Sequence, residues 1–488
     1  RRVYLDVSGR IPTAKQAAAF LDSRDPDKRA KLIEELLASP SYGEQFGRTW
    51  RDWIAPAELP AEGNGGNQPV QATQNLGKWF AQRFNAGAGW DATVRAVLTA
   101  DGTLKDQPQG LFFSLIGDDT GKPTPAGAAR AVGSLFLGMQ LQCAECHDDP
   151  FKHHTQADYW GLAAFFRNVT WRFNGRYFDY VSEGWADPAA KTVTGPRDAA
   201  PVGSITIPKA ALKNSGKVIP GRFPEADPLA AADGEPLRPR LAAWLASAEN
   251  PYFARAFVNR IWAYFTSRGF VHPVDDLRAD NPAGHPDALR LLAAEFVASG
   301  FDVRHLVRCI TLTAAYQRTS RPAATDPPEA VAKFARMPVR VMAADALYDS
   351  LKLAFADPGL DLRTYDAREA ARFGESSPVG TPYEEFAKLF ATNEDDATDF
   401  THGIPQLLAL LNHPRLRAGG KAIDELLKGK PDPAAGVEAL YLATLSRRPT
   451  AEEVGEATSF LARRPDPRRG YSGLLWVLVN RSEFLLVR

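Results

Sequence analysis

Two cysteines three positions apart, with a histidine directly after the second, form the segment Cys143-Ala144-Glu145-Cys146-His147. Thiols at this spacing can add to the two vinyl groups of one porphyrin, and the histidine that follows is placed to ligate the iron from one face. The segment therefore has the form that attaches a c-type haem. Two of the three cysteines in 488 residues fall within it, so a chance match is a poor explanation. The same residue types support two other chemistries. A Cys-x-x-Cys pair can close a small disulfide. It can also bind zinc or another metal when histidines stand nearby, and His147, His153 and His154 are those histidines.

With haem, Cys143 and Cys146 are the anchors and His147 the proximal ligand, and the residue opposite His147 decides between electron transfer and small-oxidant chemistry. Met139 precedes the anchors on an apolar helical face and reads as core. His153 is six residues beyond His147, a reach of at most about 20 Å when extended. Met337, Met342, His272, His285 and His305 are more distant candidates. Cys309 shares a stripe with Leu306 and Ile310 and reads as a buried structural thiol. His285 before Pro286 and His402 before Gly403 have turn or capping explanations. Gly-x-Ser-x-Gly, His-Glu-x-x-His and phosphate-loop patterns are absent from the sequence.

The composition excludes other classes. Lys plus Arg equals Asp plus Glu at 58 each, so no global field holds nucleic acid. No apolar run reaches the roughly eighteen residues of a membrane span; the longest, near the C-terminus, is broken by Asn480 and Arg481. The sequence opens on Arg1-Arg2 without an initiator Met, so it reads as trimmed or mature. Haem attachment points to an exported, periplasmic-type compartment.

The elements that must position the motif read as mainly α. Val132, Leu135, Phe136 and Met139 make one helical face that leads into Leu141 and the cysteines, and Thr155 with Asp158 caps the next helix through Trp160, Leu162, Phe165 and Phe166. Upstream, Asp25-Pro26 signals a helix start before Leu32, Ile33 and Leu36. Val169, Trp171 and Phe173 alternate up to Asn174-Gly175, a hairpin signal with Tyr177 opening the return strand. A Pro-, Gly- and Ala-rich connector with a β-like run at Ser204 to Ile207 follows. Helices resume with Asn250-Pro251 through Phe265 to Gly269, Pro286 to Gly300, a helix capped by Asp302, and another capped by Thr450 and Glu453. The expected architecture is two helical domains, 1–170 and 236–488, joined by a small β-hairpin-containing connector over 171–235.

Several stretches carry a resemblance. Arg1-Arg2-Val3-Tyr4-Leu5-Asp6, Leu37-Ala38-Ser39-Pro40-Ser41-Tyr42 and Phe136-Leu137-Gly138-Met139-Gln140-Leu141 resemble the second planctomycete cytochrome C domain. Val258-Asn259-Arg260-Ile261-Trp262, Ala315-Tyr316-Gln317-Arg318-Thr319-Ser320, Leu445-Ser446-Arg447-Arg448-Pro449-Thr450 and Asn480-Arg481-Ser482-Glu483-Phe484 resemble its companion domain of unknown function. The resemblance implies an exported location and supports the haem c reading; the partners considered are a redox partner protein for a haem protein and, for an exported scaffold without haem, a polysaccharide or partner protein. It supplies no reaction. Family members often carry a second histidine two places after the motif histidine, where this chain has Asp149, so no role transfers to that position.

Overall fold

Aromatic residues at helical spacing bury a large apolar area each, about 2 to 3 kcal/mol per fully buried ring, and they organise the part of the chain that holds the motif. The computed structural model describes residues 1–54, 70–116, 124–150, 154–173, 178–183, 200, 203–209, 214–224, 226–228, 235–327, 329–362, 382–390 and 404–488. The chain divides into two compact units, one of residues 43–310 and one of residues 1–42 with 311–488. The grouping in space thus interleaves the sequence: the first 42 residues group with the last third of the chain.

In the 43–310 unit, Trp50 lies 4.2 Å from Trp90 and stacks on Phe257 at 5.9 Å, and Phe257 stacks on Phe296 at 4.9 Å, centroid to centroid. All four are buried. Phe136 joins them at 6.5 Å from Trp50 and 5.7 Å from Phe112, which draws the segment before the motif into the core. The rings sit on helices Trp90–Leu98, Leu111–Leu115, Phe253–Thr266 and Pro286–Ala298 and on the helix through Trp50. A three-stranded antiparallel sheet runs in the order β1 (Gly102–Thr103), β3 (Phe178–Glu183), β2 (Val169–Phe173). The alternating residues thus form the expected strand pair, with Trp171 opposite Val181. The turn residues Asn174 and Gly175 and the return residue Tyr177 lie outside the described residues. The third strand, β1, is only two residues long, too short for an alternation signal. In the connector, β4 (Ser204–Thr206) pairs antiparallel with β5 (Val218–Pro220).

The other unit is helical around Leu347, Leu351, Phe355, Leu440, Leu475, Leu478 and Phe484. Its chain ends meet: β6 (Arg340–Val341) pairs with β7 (Leu486–Val487), and Arg1 donates to the carbonyls of Leu486 at 2.8 Å and Phe484 at 2.6 Å. Asp6, buried, accepts from Arg340 at 2.6 Å and from the Tyr316 hydroxyl at 2.8 Å.

The mainly α expectation holds, as do the capping boxes at Thr155/Asp158 and Thr450/Glu453. Two boundaries shift. The early helix starts at Lys28 with Asp27 as N-cap, because the Asp25 carboxylate is used in the preceding turn, accepting from Asp27 N at 2.8 Å. The helix from Phe253 stops at Thr266, where Ser267 turns left-handed at φ 64°, rather than at Gly269.

Candidate functional site

The motif is presented by a turn between two helices. The helix Pro125–Val132 widens into a π-helical turn over Gly133–Leu137 and ends at Gly138, whose φ of 66° is left-handed. A Cβ there would stand 2.7 Å from Leu277 Cδ1, so glycine meets both a conformational and a steric demand. Loop residues lock this exit: Leu277 N donates to Gly138 O at 2.8 Å, and Asp275 accepts from Ser134 at 2.7 Å and from Gln140 at 2.9 Å. Val132, Leu135, Phe136, Met139 and Leu141 are all buried. Met139 is therefore core, as its spacing indicates. The helix does not run into the cysteines: Cys143 lies on a separate short 3₁₀ turn, Gln142–Glu145, and Cys146 caps its end.

That turn brings together Cys143, Cys146 and His147, with Cys146 N and His147 N donating to Cys143 O at 3.4 and 3.3 Å. Neither cysteine is in a disulfide; Cys143 is exposed and Cys146 half-buried. His147 Nδ1 lies 2.8 Å from the Asp148 carbonyl. A carbonyl can only accept, so Nδ1 carries a proton, and in the neutral imidazole the lone pair is on Nε2.

The backbone around these atoms is held by the following helix, Gln156–Ala163. Trp160 Nε1 donates to Glu145 O at 3.0 Å, and Gln156 Nε2 donates to Cys146 O at 3.1 Å and Glu145 O at 3.3 Å. Asp148 accepts from Gln156 N at 2.8 Å. The Glu145 carboxylate, between the two cysteines, takes the Tyr159 hydroxyl at 2.9 Å and Arg130 at 3.2 Å. Burial first, then the Glu145 charge, pushes the Tyr159 phenol well above its ordinary value. Burial works against the Arg130 charge, but Tyr159 and Glu145 outweigh it and raise the guanidinium. None of Arg130, Gln156, Tyr159 and Trp160 was legible as a motif partner, although the capping box at Thr155 marks the helix that carries three of them.

The other candidates are dispersed. His154 is buried, and its carbonyl accepts from Asp149 N at 2.9 Å; His153 lies outside the described residues. Among the described residues no three His, Cys, Asp or Glu side chains gather as a metal ion requires. Met342 is part of the core of the other unit and Met337 is buried there. Cys309 Sγ sits 3.6 Å from His305 Nε2, which also meets Glu295 at 2.8 Å. Burial, then the Glu295 charge, raises the Cys309 thiol, the opposite of an activated nucleophile.

The donor set fits haem c. Two unbridged thiols sit on one turn, a histidine nitrogen keeps its lone pair beside them, and the second nitrogen is fixed by a carbonyl, as an iron-ligating imidazole requires.

Residues 1–170 match the model of PSCyt2, a protein of unknown function (DUF1549), and residues 237–371 match that of PSD1, a protein of unknown function (DUF1553). The two matches are, in that order, the planctomycete cytochrome C domain and its companion domain. No curated protein and no solved structure matches it. Among the described residues, no helix is long and apolar enough to cross a membrane.

Proposed function

We propose that this chain is an exported, mono-haem c-type cytochrome-like protein that passes single electrons to or from a redox partner protein. Cys143 and Cys146 would hold the haem through thioether bonds to its two vinyl groups, each thiol proton going to the other vinyl carbon so that no oxidant is needed, and His147 would supply a nitrogen to the iron. When bound, the haem supplies a one-electron ferric/ferrous couple. The observation that carries this reading is the His147 Nδ1 contact with the Asp148 carbonyl, which leaves Nε2 as the ligating atom on the turn that presents both thiols. The pinned carbonyls of Glu145 and Cys146 hold that turn without using any of the three reactive atoms.

The test is production with haem c maturation in a bacterial periplasm, followed by haem staining after denaturing electrophoresis. The wild type stains; the Cys143→Ala/Cys146→Ala double variant does not. Equal absence of stain in both sinks the proposal.

A further inference from the structure

Away from the motif, a thiol, an imidazole and a carboxylate meet between the helices Pro286–Ala298 and Val303–Leu312, on three residues of the 43–310 unit. His305 and Cys309 stand four positions apart on the second helix, one turn, so their side chains share a face. His305 Nε2 lies 3.6 Å from Cys309 Sγ and 2.8 Å from Glu295 Oε1 on the first helix. The group opens to solvent: Cys309 is half-buried, not buried as its stripe indicated, and the His305 and Glu295 side chains are 29% and 51% exposed.

The chemistry of the three groups excludes one role and admits another. A carboxylate only accepts, so the Nε2 that faces Glu295 carries a proton. Burial, then the Glu295 charge, outweighs Arg308 and keeps the thiol protonated. His305 therefore holds a proton where a nucleophilic cysteine needs a base. A cation can take the place of both protons. Zinc binds sulfur at about 2.3 Å and imidazole nitrogen at about 2.1 Å. Donors 3.6 Å apart then subtend about 110° at the metal, the angle of a tetrahedral site. Two ligands at i and i+4 on one helix face are a spacing that zinc uses.

We propose that His305 Nε2 and Cys309 Sγ bind a thiophilic divalent cation of the zinc class, with water in the remaining positions and the Glu295 carboxylate beside it as counter-charge. On binding, the thiol proton leaves to solvent, the imidazole proton moves to Nδ1, and no electron changes hands. Two protein donors make an exchangeable site, distinct from a group of three or more that holds a structural ion, of which none occurs among the described residues. The proposal does not depend on haem: with Cys143 and Cys146 consumed by a porphyrin or replaced, Cys309 is the remaining thiol of the three in the chain.

The experiment uses the full chain carrying Cys143→Ala and Cys146→Ala, titrated with cadmium, a zinc substitute whose bond to a thiolate gives an ultraviolet charge-transfer band. The expected band saturates at one ion per chain and is removed by excess zinc. Adding Cys309→Ser abolishes it. His305→Ala, and His305→Gln as a second variant should the first disturb the helix, keep the thiol but bind about tenfold or more weakly, and Glu295→Gln weakens binding less. Denaturant unfolding checks that each variant is folded. Absence of the band in the parent, or a band that excess zinc leaves in place, overturns the proposal. So does equal affinity in the parent and the His305 variants, since a lone thiol would then suffice.

Discussion

In each unit a carboxylate accepts from both an arginine and a tyrosine hydroxyl. In the unit built from the chain ends, Asp6 is held by Arg340 and Tyr316 and the ion pair is sealed, with side chains 12% and 5% exposed. In the motif unit, Glu145 is held by Arg130 and Tyr159 and the pair is open, at 46% and 31%. In both, burial and then the carboxylate raise the phenol. The chemistry is the same, and the surroundings differ. The sealed trio joins Asp6 on the helix Arg2–Ser8 to β6. The open trio grips Glu145, which stands between an exposed Cys143 and a half-buried Cys146 and two places before His147. A polar cluster becomes a candidate site when it positions atoms it does not itself satisfy.

Substitutions in the two trios should therefore separate. Asp6→Ala removes the buried acceptor shared by Arg340 and the Tyr316 hydroxyl and has the largest effect, about 4 kcal/mol of lost stability by denaturant unfolding, with haem content per folded chain unchanged. A loss below about 1 kcal/mol contradicts the sealed arrangement.

Gly138→Ala comes next, at about 3 kcal/mol, from the left-handed backbone and the clash with Leu277. Because it deforms the exit from the π-helical turn, it should also lower haem attachment, unlike Asp6→Ala.

The Arg447 network in the chain-end unit sharpens the contrast through pH. Arg447 bonds Glu453 at 2.7 Å and Glu483 at 2.6 Å. Its hydrogen bonds, against some desolvation, hold the Glu453 carboxyl at about 2, below the ordinary 4.5. A depressed carboxylate pKa gives stability that is present above about 4.5 and fades as pH falls toward 2. Arg447→Ala should cost about 2 kcal/mol near neutrality, and its gap from wild type should narrow over that acid window. A gap constant from pH 7 to pH 3 contradicts the assignment.

The smallest effect belongs to the open trio. Tyr159→Phe removes one hydrogen bond to Glu145 and should cost about 1 kcal/mol, while raising the alkylation rate of Cys143 and Cys146 in the haem-free protein as the turn loosens. Tyr316→Phe should leave that rate unchanged.

Much of this was legible in the sequence, for physical reasons. The motif is contiguous, so its spacing alone places three reactive groups on one turn. The capping boxes and the alternation of Val169, Trp171 and Phe173 are local and survived into the structure. What could not be read is what depends on distant residues. Asp6 meets Arg340 and Tyr316 across more than three hundred positions, and Arg222, just beyond a strand of three residues, reaches Asp158 across 64. The break between the helix and the cysteines follows from Gly138 and its contact with Leu277, which periodicity does not register.

The most direct measurement is the covalent haem stoichiometry of the wild-type chain, by pyridine haemochrome after denaturation, on protein matured in the periplasm. The account predicts one haem per chain, lost when both Cys143 and Cys146 are replaced. A colourless wild type, with both thiols still titratable, contradicts it.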